Sequence, residues 1–171
     1  MLVAAPRAIA LLTLQLEDDV GYAYTRAEGR MLLFSQLVQN FPHEAHPCRT
    51  EAGQPRYENQ CAIRMSAGLL GVDPTFLAGF RGNVCPHGHV RGAPALARYL
   101  DDKLGGSERP SHRGNIQGQG ILFYKRPAGA MPHIDLWTTN MCLPRWEPGV
   151  DNTMSWTTLD ATELWFWRLP P

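Results

Sequence analysis

The stretch Cys61-Ala62-Ile63-Arg64-Met65-Ser66-Ala67-Gly68-Leu69-Leu70-Gly71 decides how the rest of the chain is read. Ala62, Met65 and Leu69 recur at helical spacing, and Ile63, Ser66 and Leu70 form an adjoining stripe. That pattern predicts a buried helix with Gly71 as its C-cap. Upstream, His43–Gln60 is polar and carries Pro47, Gly53 and Pro55, which predicts a loop. Before the loop, Phe34, Leu37, Val38 and Phe41 within Arg30–Phe41 follow helical spacing until Pro42 stops it. Downstream, Pro94 suits a first helical turn. Leu96, Ala97, Leu100 and Leu104 share one face there, and Gly105-Gly106 ends the helix.

Past the polar Ser111–Gln119 the period changes from helical to extended. Gly120–Tyr124 reads as a short apolar strand, with Pro127 and Gly129 in the following turn. His133-Ile134-Asp135-Leu136-Trp137 alternates, so His133, Asp135 and Trp137 face one side and Ile134 and Leu136 the other. Glu163–Leu169 is apolar on both faces and reads as a last, central strand, with Trp165 and Trp167 in the core. Helices followed by antiparallel strands predict an α+β fold, with the N-terminal helices packed on an antiparallel sheet.

The chain has 171 residues, enough for one domain with a real core. Residues 1–29 read as a weakly specified leader and 30–171 as the domain. Sixteen basic and sixteen acidic residues leave no net charge. Without a basic surplus, neither nucleic acid nor an anionic membrane surface is an expected partner. The apolar run Ala8–Leu16 is too short to span a bilayer and leads into Glu17-Asp18-Asp19, so it is not read as a signal peptide either.

Four cysteines, Cys48, Cys61, Cys85 and Cys142, are too few for a disulfide-dense miniature. They allow one reactive thiol, with a bridge among the others. Cys61 opens the predicted helix, where unpaired N–H groups and the dipole favour an anion and hence a thiolate. A nucleophilic thiol needs a proton acceptor within reach, and His133 is the obvious one. The Cys61 N–H, at the helix start, is the natural half of an oxyanion hole. Cys85-Pro86-His87-Gly88-His89 and His43-Glu44-Ala45-His46-Pro47-Cys48 contain zinc-ligand residue types. Neither has the spacing of well-attested sites, so no metal is expected, and a loop with surface histidines or a Cys48–Cys85 bridge is the plainer reading. Arg64 reads as the partner of a buried acid, or more sharply of a substrate carboxylate.

The phrase Tyr57-Glu58-Asn59-Gln60-Cys61-Ala62-Ile63-Arg64-Met65-Ser66 resembles the nucleophile segment of the type VI secretion amidase effectors, family four. His133–Trp137 is similar to that family's histidine strand, and Gly120–Tyr124 to the strand before it. Phe34-Ser35-Gln36-Leu37 and Glu163–Trp167 resemble its opening helix and aromatic last strand. The resemblance spans about residues 31 to 171. It implies a papain-like, NlpC-type cysteine peptidase fold. It also implies hydrolysis of the γ-D-glutamyl–diaminopimelate bond of peptidoglycan stem peptides, without metal or organic cofactor. Carried across, Cys61 is the nucleophile and His133 the general base. Asp135 orients the imidazole, with Asp151 as rival and Asn140 as a weaker one. An antibacterial toxin acting at the cell wall, in the periplasm of a target cell, needs a cognate immunity protein. The resemblance implies one that plugs the cleft over Cys61 and His133. Two departures stand out: Pro132 replaces the family's usual Gly before the histidine, and the leader has no counterpart. A different reading of the same cleft is a non-catalytic cell-wall binding module, stabilised by zinc.

Overall fold

The computed structural model describes residues 31–44, 46–138, 141–143 and 161–171, the stretch 141–143 as backbone. The proposed leader, Asn140 and Asp151 lie outside the described residues. Within them, helices α1 (Phe34–Asn40), α2 (Cys61–Val72) and α3 (Ala93–Leu104) precede strands β1 (Gln119–Lys125), β2 (His133–Thr138), β3 (Met141–Leu143) and β4 (Glu163–Arg168). The sheet is antiparallel, in the order β3-β2-β1-β4. The architecture is α+β.

Helix α2 forms where its two stripes predict it. Ile63, Met65 and Leu69 are fully shielded from solvent, and burial of each contributes about 2 kcal/mol. One expectation fails here. The helix runs through Gly71 and is capped at Asp73, whose N–H donates to the Leu69 carbonyl at 3.0 Å. Gly71 is needed for space instead. A Cβ there would sit 2.9 Å from Asn40, and one at Gly68 would sit 3.1 Å from the Phe41 ring. The two glycines let α1 lie close on α2. Helix α3 ends as read, with Gly105 in the left-handed region at φ 91°, a conformation that disfavours side chains with a Cβ.

The sheet has two apolar faces. Ile121, Phe123, Ile134 and Leu136 join the core formed with the helices. Leu122, Tyr124, Trp137, Leu164 and Phe166 make a second cluster with Ile116. A second correction follows. β4 is apolar on both sides yet lies at the sheet edge, and β1 is the strand flanked on both sides. Phe166 is shielded by the second cluster, and its backbone exchanges hydrogen bonds of 2.8 and 3.0 Å with Glu108 on the outer side of β4. The register places Tyr124 opposite His133 and Leu122 opposite Asp135, which fixes where the polar residues of β2 emerge.

Candidate active site

Cys61 is the first residue of α2, and the residue before it anchors that end. The buried Gln60 side chain donates to the carbonyls of Cys48 at 2.9 Å and Tyr57 at 3.1 Å, and accepts from the Cys48 N–H at 2.8 Å. A polar loop is thereby fastened to the helix start through a satisfied buried amide. The Cys61 N–H donates to Asn59 Oδ1 at 3.2 Å. The N–H expected to serve as an oxyanion donor therefore starts out occupied. In this state the group is already satisfied, by an Asx-type bond that reaches two residues forward.

His133 opens β2. Its Nε2 lies 3.4 Å from Asp135 Oδ2, and its ring sits 5.2 Å from that of Tyr124. Alternation along the strand puts His133 and Asp135 on one face, and the helix start places the Cys61 thiol near enough to act on the imidazole. Burial alone pushes this imidazole down. Hydrogen bonds to Asp135 and Cys61, with the charge of both, overcome it and raise His133 from 6.5 to about 10. The ring is therefore held as imidazolium at neutral pH.

Asp135 is itself fixed on both oxygens. Oδ1 accepts the Leu136 N–H at 3.0 Å and faces Arg64 Nη2 at 4.0 Å. Both side chains of that ion pair are at most 10% exposed. The Arg64 guanidinium also lies 5.2 Å from the centre of the Phe41 ring, a cation–π contact. Arg64 thus meets a buried acid, the plainer of its two readings. The structure brings Cys61, His133, Asp135 and Arg64 together. Tyr124, Asn59 and Gln60 are contributors to which the sequence reading gave no role of their own. The strand register could have flagged Tyr124, and Asn59 two residues before the helix start carries an Asx pattern; Gln60 leaves no local signal.

The remaining described cysteines differ in chemistry. Cys48 and Cys85 are both buried free thiols, so the bridge between them is not formed here. Burial pushes the Cys48 thiol up, and its hydrogen bond with Cys85 adds to this, against the nearby Arg56 and Arg91. Such a thiol is a poor nucleophile. A cavity of about 270 Å³ lies between α3 and the 126–132 turn, lined by Arg98, Phe123, Lys125, Arg126, Glu163 and Trp165 among others. None of Cys61, His133 or Asp135 lines it.

No protein-family profile and no curated protein matches the chain. Solved structures do. One is the effector–immunity system Tae4/Tai4 from Salmonella typhimurium, at 18% identity over 67% of this chain and 75% of that one, with a TM-score of 0.51. Others are the type VI effector Tae4 from Enterobacter cloacae, at 19% identity over 66% and 74% with a TM-score of 0.46, and the Tae4–Tai4 complex from that organism, at 21% over 66% and 76% with a TM-score of 0.44. The likeness to the Salmonella typhimurium structure is one of fold, and it extends over two thirds of the chain.

Proposed function

We propose that the chain is an antibacterial effector, a papain-like cysteine amidase of the NlpC type. It cuts the γ-D-glutamyl–diaminopimelate bond of peptidoglycan stem peptides in the periplasm of a target cell. The observation that carries this reading is the meeting of the Cys61 thiol at a helix start with His133, whose ring is backed by Asp135. The Salmonella typhimurium structure of like fold, the effector–immunity system Tae4/Tai4, supports the reading.

In this mechanism Cys61, as thiolate, attacks the scissile carbonyl carbon while His133 holds the proton. The tetrahedral oxyanion needs a donor, and the Cys61 N–H can serve once Asn59 Oδ1 swings aside. His133 then gives its proton to the leaving amine, and a thioester remains on Cys61. Water attacks that thioester with His133 as base, releasing the γ-D-glutamyl carboxylate and restoring the pair. Asp135 keeps the imidazole aimed and stabilises its charge, with Asp151 as the alternative for that role. A cognate immunity protein covers Cys61 and His133, contacting the flanking segments Asp73–Gly92 and Pro127–Pro132. Residues 30–171 form the amidase domain and 1–29 a separate leader. Among the described residues no helix is long and apolar enough to cross a membrane.

Mass spectrometry of stem peptides incubated with the protein tests bond and activity together. New termini at γ-D-glutamate and at the diaminopimelate amine are expected, with a loss of ~10³-fold or more in rate for Cys61→Ala. Wild-type turnover by Cys61→Ala, or cleavage confined to another bond, refutes the assignment.

A further inference from the structure

The two segments that carry Cys48 and Cys85 meet against Ile63 of α2. Gly88 N–H donates to the Cys85 carbonyl at 2.9 Å, and Cys85 N–H to the His89 carbonyl at 2.8 Å. This tight turn folds His87 back towards Cys85, with Nδ1 and Sγ 4.0 Å apart. From the other loop, Cys48 is held in place by Gln60. The two sulfurs and the His87 nitrogen all lie within 4.8 Å of one another. Both sulfurs are buried beside Ile63 and Tyr57, while His87 is exposed and leaves one side open.

We propose that Cys48, Cys85 and His87 form a binding site for a zinc-type cation, separate from the Cys61–His133 pair. Two sulfurs and one imidazole make a borderline-soft ligand set, which selects zinc over magnesium or calcium. Tetrahedral zinc with Zn–S of about 2.3 Å and Zn–N of about 2.0 Å sets neighbouring S and N atoms about 3.6 Å apart, a few tenths of an ångström inside the observed separation. Binding deprotonates both thiols and releases the two protons to water, so the dication and two thiolates leave no net charge. The fourth position is open to water or to His89. The His89 ring centre lies 6.1 Å from that of His87, and its buried Nδ1 has no hydrogen-bond partner among the described residues.

The consequence for the neighbouring site runs through Gln60, which joins Cys48 to the residue before Cys61. A bound ion would stiffen the helix start without touching the reacting atoms. The site stands whether or not the chain hydrolyses cell wall.

The test uses the full chain in a Cys61→Ala background, reduced, with zinc chloride as probe and a chromophoric chelator as competitor. Uptake of about one equivalent is expected, with a melting temperature about 5–10 °C higher at a hundredfold excess over Kd. Cys85→Ser and His87→Ala should each weaken uptake ~10-fold or more. Because uptake by the parent protein is measured directly, a variant that fails to fold leaves the question decidable. No uptake by the reduced protein refutes the site, as does uptake unchanged in both variants. Recovery of Cys48 and Cys85 only as a disulfide, from protein prepared with zinc and no reductant, refutes it as well.

Discussion

Asp135→Asn keeps the shape of the side chain and its acceptor for the Leu136 N–H, and removes the charge facing His133. At 3.4 Å, two unit charges interact by about 5 kcal/mol at an effective dielectric of about 20, and by about 1 kcal/mol in bulk water. At about 1.4 kcal/mol per pKa unit, a site this enclosed should lose about 1–3 units, taking His133 down from about 10. Burial works against the imidazolium, and of the groups that raise it only Cys61 remains in the variant. The sign for stability follows. A pKa raised on folding stabilises fully below the unfolded value of 6.5, and that stabilisation drains away as pH climbs through about 10. Wild-type stability should therefore decline across that window, and in Asp135→Asn the decline should be smaller and finish at lower pH. NMR titration of the His133 ring, assigned with His133→Gln, reads the shift directly, while stem-peptide turnover reads kcat, expected to drop by ~10²–10⁴. A wild-type His133 that titrates near 6.5, or a variant shift below about half a unit, refutes the electrostatic reasoning. Normal turnover in Asp135→Asn together with its loss in Asp151→Asn moves the orienting role to Asp151 and leaves the Cys61–His133 pair standing.

Gly120→Ala probes the sheet. Its Cβ would meet the backbone carbonyl of Trp167, so β1 and β4 must part, and denaturant unfolding should show a loss of about 2 kcal/mol or more; an unchanged midpoint would mean that β4 is not held in this register. For the immunity protein, the proposed cover over the cleft predicts that binding shields Cys61 from a small alkylating reagent. Tight binding with unaltered Cys61 reactivity, followed by mass spectrometry, would show a block remote from the thiol.

Periodicity made α2, α3, β1 and β2 legible within a residue or two, because each buries one continuous stripe. It misplaced β4, since alternation reports whether a face is shielded and not which strand does the shielding. The Glu108 bridge that pairs with the outer side of β4 comes from a segment with no strand pattern of its own. β3 is three residues long, too short to alternate. Gly71 resembled a helix stop because its true role, clearance for Asn40, depends on a neighbouring helix. At the site, Cys61 and His133 stood out by residue type and position, as did Asp135 by sharing a face with the histidine. Arg64 could be assigned an acid but not which one. For Cys48, Cys85 and His87 the sequence suggested a Cys48–Cys85 bridge but no ligand set, because each half lacks ligand spacing and the fold adds His87.

The Phe34 N–H at the head of α1 donates to the Pro170 carbonyl at 2.8 Å. The first helix and the residues just past β4 are therefore one structural unit, although nearly the whole described chain separates them. Pairings this distant are closed late and slowly, since the intervening loop entropy is spent before any contact repays it. On a ribosome, α2 can coil and β1 can zip to β2 while residues 163–170 are still in the exit tunnel. Trp167, Leu169 and the clip on α1 arrive last. Completion of the fold is thus timed by the final strand, and under the proposed amidase function a C-terminally shortened chain should lack stem-peptide hydrolysis.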